Sequence, residues 1–144
     1  MRRPLQRDER GSAAIEAVLG ATAFAAFCGL AAFGGQIALA HQGVQAAAND
    51  AARAASIART QPAAQTAADT AATRGLANHQ LVCAATAVSV DTSGFTTEVG
   101  QPASVSATVR CEVSSTSLGI PIPVGTVIVE ETMTSPLDTY RSRT

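Results

Sequence analysis

The most prominent pattern in the chain is one long stretch without charge close to its N-terminus. Residues 17–40 contain no formally charged side chain, and Thr22 and Gln36 are their main polar interruptions. An α-helix rises about 1.5 Å per residue, so this stretch is long enough to cross a hydrocarbon core about 30 Å thick. We therefore predict a transmembrane helix at about 17–40. The less favoured alternative is a buried helix of a soluble protein.

The pattern then changes to that of an amphipathic helix. Between His41 and Thr60, small apolar residues recur at helical spacing and polar residues occupy the opposite side. The recurring residues are Val44, Ala47, Ala48, Ala51, Ala55 and Ala58. We predict that one long helix occupies residues 12–60, with a second helix or linker at 61–80. Pro62 marks either a break or the first turn of that second helix.

After residue 80, the period changes from helical to alternating. Strands are predicted at 81–90, 103–113 and 125–134, and the second alternates cleanly between valine-rich and polar positions. The polar stretch between the first two strands predicts a long hairpin loop. The expected fold class is therefore α+β: a long, partly transmembrane N-terminal helix, a helical linker and a small antiparallel β-sheet at 81–135. Residues 136–144 read as a tail.

Composition limits both the core and the partners of this fold. The 144 residues carry a net charge of −1, so there is no basic field to hold nucleic acid. Alanine dominates and every basic residue is arginine, a usage typical of GC-rich bacterial genomes. Aromatic residues make up 3% of the chain and tryptophan is absent. A domain with so few large side chains buries a small core and needs a covalent staple.

The cysteines provide a candidate for that staple. Cys28 lies within the uncharged stretch, whereas Cys83 and Cys111 lie in the polar C-terminal part. In an antiparallel hairpin these two would meet at the open end, where a disulfide closes a loop of about 29 residues. The chain-entropy model assigns such a loop roughly 3 kcal/mol. A disulfide also predicts an oxidising compartment. The alternative is two buried free thiols.

The chemically informative segment precedes the uncharged stretch. Residues 1–11 form an arginine-rich leader, which favours a cytoplasmic N-terminus. Gly11 ends this leader, and its missing side chain suits an extended backbone entering a peptidase. Cleavage after Gly11 would give Ser12 a free ammonium group one helical turn from Glu16. That pairing, within a chain or between chains, offsets the cost of a carboxylate at a membrane edge. A helix N-terminus also favours Glu16 through its macrodipole.

These features resemble the bacterial type IV pilin-like proteins, and more narrowly the TadE-like minor pilins (pseudopilins) of tight-adherence (Flp-type) pilus systems. Residue-level likeness covers about residues 7–40, and it departs from the common pattern at Ala17, where an aromatic residue is frequent. The resemblance implies cleavage between Gly11 and Ser12 by a prepilin peptidase, and a role for Glu16 in recognition or assembly.

The resemblance also implies where the chain works and with what. Its partners would be the membrane, the prepilin peptidase, other pilin subunits and the pilus assembly platform. It would cross the bacterial cytoplasmic membrane once, with its C-terminal domain outside the cytoplasm or in an extracellular pilus. No cofactor, metal, nucleic acid or small-molecule substrate is expected.

Two other interpretations remain to be weighed against this one. Ala38-Leu39-Ala40 fits a conventional signal-peptidase site before His41, which would release a soluble secreted protein. An uncleaved N-terminus would instead indicate a plain signal anchor.

The sequence gives little support to an enzyme. His41 and His79 are isolated, and we expect His41 to be a solvated residue at the membrane edge. Glu130 and Glu131 are adjacent in a strand and would point to opposite faces, so they cannot act as an acid–base pair. No catalytic residue is assigned.

Overall fold

The computed structural model describes residues 10–114 and 125–140. Two α-helices precede a three-stranded antiparallel sheet, so the predicted α+β class is confirmed. The elements are α1 (Arg10–Ile57), α2 (Gln61–Asn78), β1 (Ala85–Asp91), a short 3₁₀ helix (Ser93–Thr96), β2 (Ser104–Ser114) and β3 (Thr126–Pro136). The chain divides into two compact units, residues 1–35 and 36–144, and α1 contributes to both.

The first unit consists, within its described residues, of the N-terminal part of α1. From Ala13 to Gly35 every side chain is exposed except that of Phe33, which is partly covered. Thr22 keeps its hydroxyl satisfied inside the helix, donating to the carbonyl oxygens of Val18 and Leu19 at 3.0 and 2.9 Å. This polar residue therefore needs no water to satisfy its donor.

In the second unit, α1 and α2 pack together through alanine. The predicted small face of α1 is confirmed, since Val44, Ala47, Ala48, Ala51 and Ala55 are all fully buried. The matching residues on α2 are Ala64, Ala68, Ala72 and Leu76. Alanine lets the two helices approach closely, at the cost of burying little apolar area per residue.

The second helix begins with an N-cap at Thr60. Thr60 adopts an extended backbone, and its Oγ1 accepts a hydrogen bond from the amide of Ala63 at 3.3 Å. Pro62 then occupies the first turn of α2, where its missing N–H costs nothing. Of the two roles expected for Pro62, the structure shows the first turn of a second helix.

A close approach of the helices depends on Gly75. A Cβ atom at this position would lie 2.9 Å from the Cα of Ala47 on α1. A glycine inside a helix ordinarily weakens it, but α2 continues past Gly75 to Asn78. The glycine instead provides the space that lets the backbones meet.

In the sheet, β2 lies between β1 and β3. The alternation predicted for β2 is confirmed, because Val105, Ala107, Val109, Cys111 and Val113 are buried in the core. The first strand begins at Ala85 rather than Leu81, since the Leu81 amide still bonds to the Leu76 carbonyl at the end of α2. The third begins one residue later and ends two residues later than predicted.

Cys83 and Cys111 form the predicted disulfide, with their Cα atoms 5.4 Å apart. The bond joins the segment after α2 to the central strand, at the end of the β1–β2 pair opposite its connecting loop. The amide of Ala84 donates to the carbonyl of Glu112 beside it, at 2.6 Å. The disulfide therefore ties the helical layer to the middle of the sheet.

Candidate functional site

The candidate site lies at the start of α1. The helix begins at Arg10, so Gly11 and Ser12 belong to its first turn rather than to the extended backbone expected at a scissile bond. The first four amides of a helix have no intrahelical partner, and this turn is therefore the easiest part of α1 to unwind. Residues 1–9 of the leader lie outside the described residues.

Glu16 follows Ser12 by four residues in the same helix. Positions separated by four lie on one face, about 6 Å apart along the axis. The Glu16 side chain is exposed and has no ion-pair partner among the side chains that the structure describes. A new ammonium group at Ser12 would consequently be the nearest cation within reach of this carboxylate along the helix.

From Ile15 onward, the helix displays large apolar side chains that nothing in the described chain covers. The exposed residues are Ile15, Val18, Leu19, Phe24, Phe27 and Leu30. At about 100° per residue they occupy most of the helix circumference. A helix that is apolar on most sides belongs inside a large core or a membrane. This helix is long and apolar enough to cross a membrane, although a signal sequence has the same properties.

The second unit contains a contact that the sequence did not predict. His41 Nδ1 lies 2.9 Å from Glu131 Oε1, joining α1 to β3. His41 is half-exposed, as expected of a solvated histidine, and the structure adds its pairing with Glu131. The two residues are 90 positions apart, and no local pattern in the sequence links them.

The remaining acidic residues of the sheet are arranged as expected. Glu131 faces His41, whereas Glu130 lies on the opposite face with its carboxylate 3.8 Å from Arg110. Arg110 also lies 3.6 Å from Glu112 on its own strand. Among the described residues, no group of three or more His, Cys, Asp or Glu side chains converges as a metal site.

Among known proteins, no family model, no curated protein and no solved structure matches the chain. Any assignment of function therefore rests on the residues of this chain. Three features of α1 bear on the function of the chain. They are the first turn at Gly11 and Ser12, the exposed carboxylate of Glu16, and the exposed apolar surface that follows.

Proposed function

We propose that this chain is a single-pass membrane protein that works as a TadE-like minor pilin of a tight-adherence pilus. A prepilin peptidase cuts it between Gly11 and Ser12, and α1 then packs with other pilin subunits in the membrane and at the assembly platform. The C-terminal sheet domain lies outside the cytoplasm.

The observation that carries this proposal is the exposed apolar surface of α1. Six large apolar residues between Ile15 and Leu30 are each exposed by more than half, whereas the domain that follows has its own closed core. Exposing this much apolar surface to water is unfavourable by roughly 25 cal/mol per Å². A hydrocarbon environment, or the helices of neighbouring subunits within it, removes that penalty.

The direction of crossing is supported by the two flanks of the helix. Arg2, Arg3 and Arg7 precede it, and cytoplasmic flanks are enriched in basic residues. On the other side, the domain contains the Cys83–Cys111 disulfide, which persists in oxidising compartments. Both flanks favour a cytoplasmic leader and an external domain.

The placement of Glu16 supports a subunit rather than a plain anchor. A carboxylate at the centre of a membrane helix costs about 2.5–3.5 kcal/mol on insertion scales, and less near the interface. A plain anchor offsets that cost only through the favourable interaction of Glu16 with the helix macrodipole. A cleaved subunit gains a salt bridge between Glu16 and the ammonium of Ser12, formed within one chain or with the next chain in an assembly.

The mature N-terminus tests the proposal directly. Mass spectrometry of the chain from its native membrane should find Ser12 as the first residue. Gly11→Leu should prevent the cut, because the added side chain blocks entry of the backbone into the peptidase. Gly20→Leu is the matched control, since Gly20 has open space around it, and it should be processed normally.

Other N-termini would contradict the proposal. A chain beginning at His41 would be the product of a conventional signal peptidase. One beginning at Met1 or Arg2 would be a plain signal anchor.

A second experiment separates assembly from insertion. Glu16→Gln keeps the shape of the side chain and removes its charge, so insertion should be retained and incorporation into pili lost. Normal piliation in this variant would remove Glu16 from the proposed assembly contact.

A further inference from the structure

We infer that the sheet domain has a second membrane contact: one end of it rests on the lipid surface through Leu39 and Val82. This inference rests on the proposed membrane crossing by α1. It concerns the second unit alone, and it assigns an orientation to the domain that the crossing by itself does not require.

One end of the second unit forms an open cavity of about 280 Å³, lined by apolar side chains and by the polar side chains of Gln36, His79 and Gln80. We call this end the α1-entry end, because residues 36–40 of α1 lie there. The apolar side chains that line the cavity are Leu39, Ala40, Leu81, Val82 and Val113. Neither a carboxylate nor a guanidinium group lines it. Water solvates the apolar part of this lining poorly, whereas its polar side chains suit the wet boundary of a membrane.

Large apolar side chains stand out from this end. Leu39 is 60% exposed and Val82 is 70% exposed. Ile128 is 50% exposed and lies two residues into β3 from the same end. The neighbouring Cys83 is bonded to the fully buried Cys111, which fixes the backbone beside Val82 while the Val82 side chain stays exposed. The disulfide thus holds an apolar residue at the surface.

The opposite end of the domain has a different character. There the β1–β2 connection and the chain after β3 carry Asp91, Glu98 and Asp138, all exposed. Asp91 and Asp138 each accept a hydrogen bond from a backbone amide in their own turn. Val99 is also exposed there, but it follows Glu98 directly. At the α1-entry end, Glu112 lies opposite Ile128 in the sheet register, but neither a carboxylate nor a guanidinium group lines the cavity itself. This difference between the cavity and the acidic turns favours lipid at the α1-entry end and water at the other.

The depth of Leu39 identifies lipid as the occupant. Leu39 is the next-to-last residue of the predicted transmembrane part at 17–40, so a helix that crosses with those bounds places it at the boundary between acyl chains and headgroups. Val82 lines the same cavity as Leu39 and therefore lies at a similar level. Apolar side chains at that level are typically buried about 5–10 Å into the boundary region.

The chain offers a direct test, because it contains no tryptophan. Single-tryptophan variants of the full chain are reconstituted into phosphatidylcholine vesicles that carry bromine atoms near the headgroup or near the acyl-chain ends. Phe24→Trp reports on the crossing helix, Val82→Trp on the proposed contact, and Val99→Trp is the matched control at the opposite end. Ile128→Trp is a second probe of the α1-entry end, in case Val82→Trp fails to form the disulfide.

Quenching patterns distinguish this inference from the proposed function. Val82→Trp should lose about half its emission with shallow bromine, because its level is the headgroup boundary. Phe24→Trp should be quenched by deep bromine and Val99→Trp by neither. An unquenched Val82→Trp beside a quenched Phe24→Trp overturns the lipid contact and leaves the crossing intact. A blue-shifted but unquenched Val82→Trp overturns it in favour of a protein partner. An unquenched Phe24→Trp overturns the crossing itself.

Discussion

The two halves of α1 use apolar residues in opposite ways. In the N-terminal half the large side chains are outside, as with Leu19 at 66% exposure. In the C-terminal half the buried side chains are mainly alanines, such as Ala51 at 0% exposure. In a protein that meets only water, the large residues would be the buried ones. The reversal supports the proposed apolar environment for the first half of the helix, which the described part of the chain does not itself supply.

The comparison also leads us to expect that the domain depends on its disulfide for stability. An alanine-lined helix pair buries little area, and the sheet adds mainly valines to the core. Stability in the second half therefore comes from close backbone approach and a covalent staple. In the proposed membrane crossing, helix formation in the first half requires no tertiary contact, because a bilayer leaves the backbone no other partners.

The largest expected effect is the loss of stability when the disulfide of the second half is removed. Cys83→Ala combined with Cys111→Ala should destabilise the domain by roughly 3 kcal/mol, the loop-closure value for this bond. Urea unfolding of the full chain in detergent, followed by circular dichroism, measures the loss. Cys28→Ala is the matched control in the first half, and its unfolding midpoint should equal that of the wild type. Equal midpoints for all three chains would show that the staple contributes nothing.

Enlarging an alanine should also act on one half alone. Ala51→Leu adds three heavy atoms to a fully buried site and should destabilise the domain by about 2 kcal/mol. Ala21→Leu makes the same change at an exposed position of the first half, where it should leave both unfolding and membrane association unchanged. The comparison fails if the two substitutions have the same effect on the unfolding midpoint.

Replacing a glycine by alanine should change the stability by a smaller amount, with opposite signs in the two halves. An exposed helical glycine changed to alanine usually gains stability. Gly34→Ala should follow that rule or be neutral, because it has open space around it. Gly75→Ala should instead lose about 1 kcal/mol, since its Cβ meets the backbone of Ala47. A stabilised Gly75→Ala chain would mean that the helices separate without cost.

The smallest effect concerns a turn at the charged end of the second unit. Asp91 Oδ1 accepts a hydrogen bond from the amide of Ser93 at 2.9 Å, and hydrogen bonds from Ser93 lower the pKa of this carboxyl. Because the folded-state pKa is depressed, its contribution is complete above the unfolded pKa and disappears as the pH falls through the folded pKa. Asp91→Asn should therefore be slightly less stable than the wild type at neutral pH.

In acid the two chains should converge, which unfolding at several pH values measures. A difference that is constant with pH would assign the effect to the shape of the side chain rather than to its charge.

The elements of the fold were predictable because burial imposes a period on the sequence. Val44, Ala47 and Ala51 repeat with the helical period, and Val105 and Val109 with that of a strand. The contact of His41 with Glu131 and the helix contact at Gly75 were not predictable. They join positions distant in sequence, whose proximity depends on how the layers pack rather than on a local pattern.

The candidate site was predicted almost entirely from the types and spacing of three residues. Gly11, Ser12 and Glu16 were selected by their spacing before the uncharged stretch, and the structure adds that they share one helix. The helical backbone at Gly11 was not predicted from the sequence, because a glycine at the end of a polar leader is also compatible with a turn. Whether this bond is cut depends on an enzyme that the chain does not encode.

Cys28 allows the most direct test of the reversal between the two halves of α1. It is the free cysteine of the chain and is exposed at the middle of the apolar surface. The account predicts that a membrane-impermeant maleimide leaves Cys28 unlabelled in intact membranes and labels it after denaturation in SDS. A cysteine introduced as Val99→Cys should react from the external side without denaturation. Labelling of Cys28 at the same rate as position 99 in intact membranes would contradict the account, because it would place the apolar half of α1 in water.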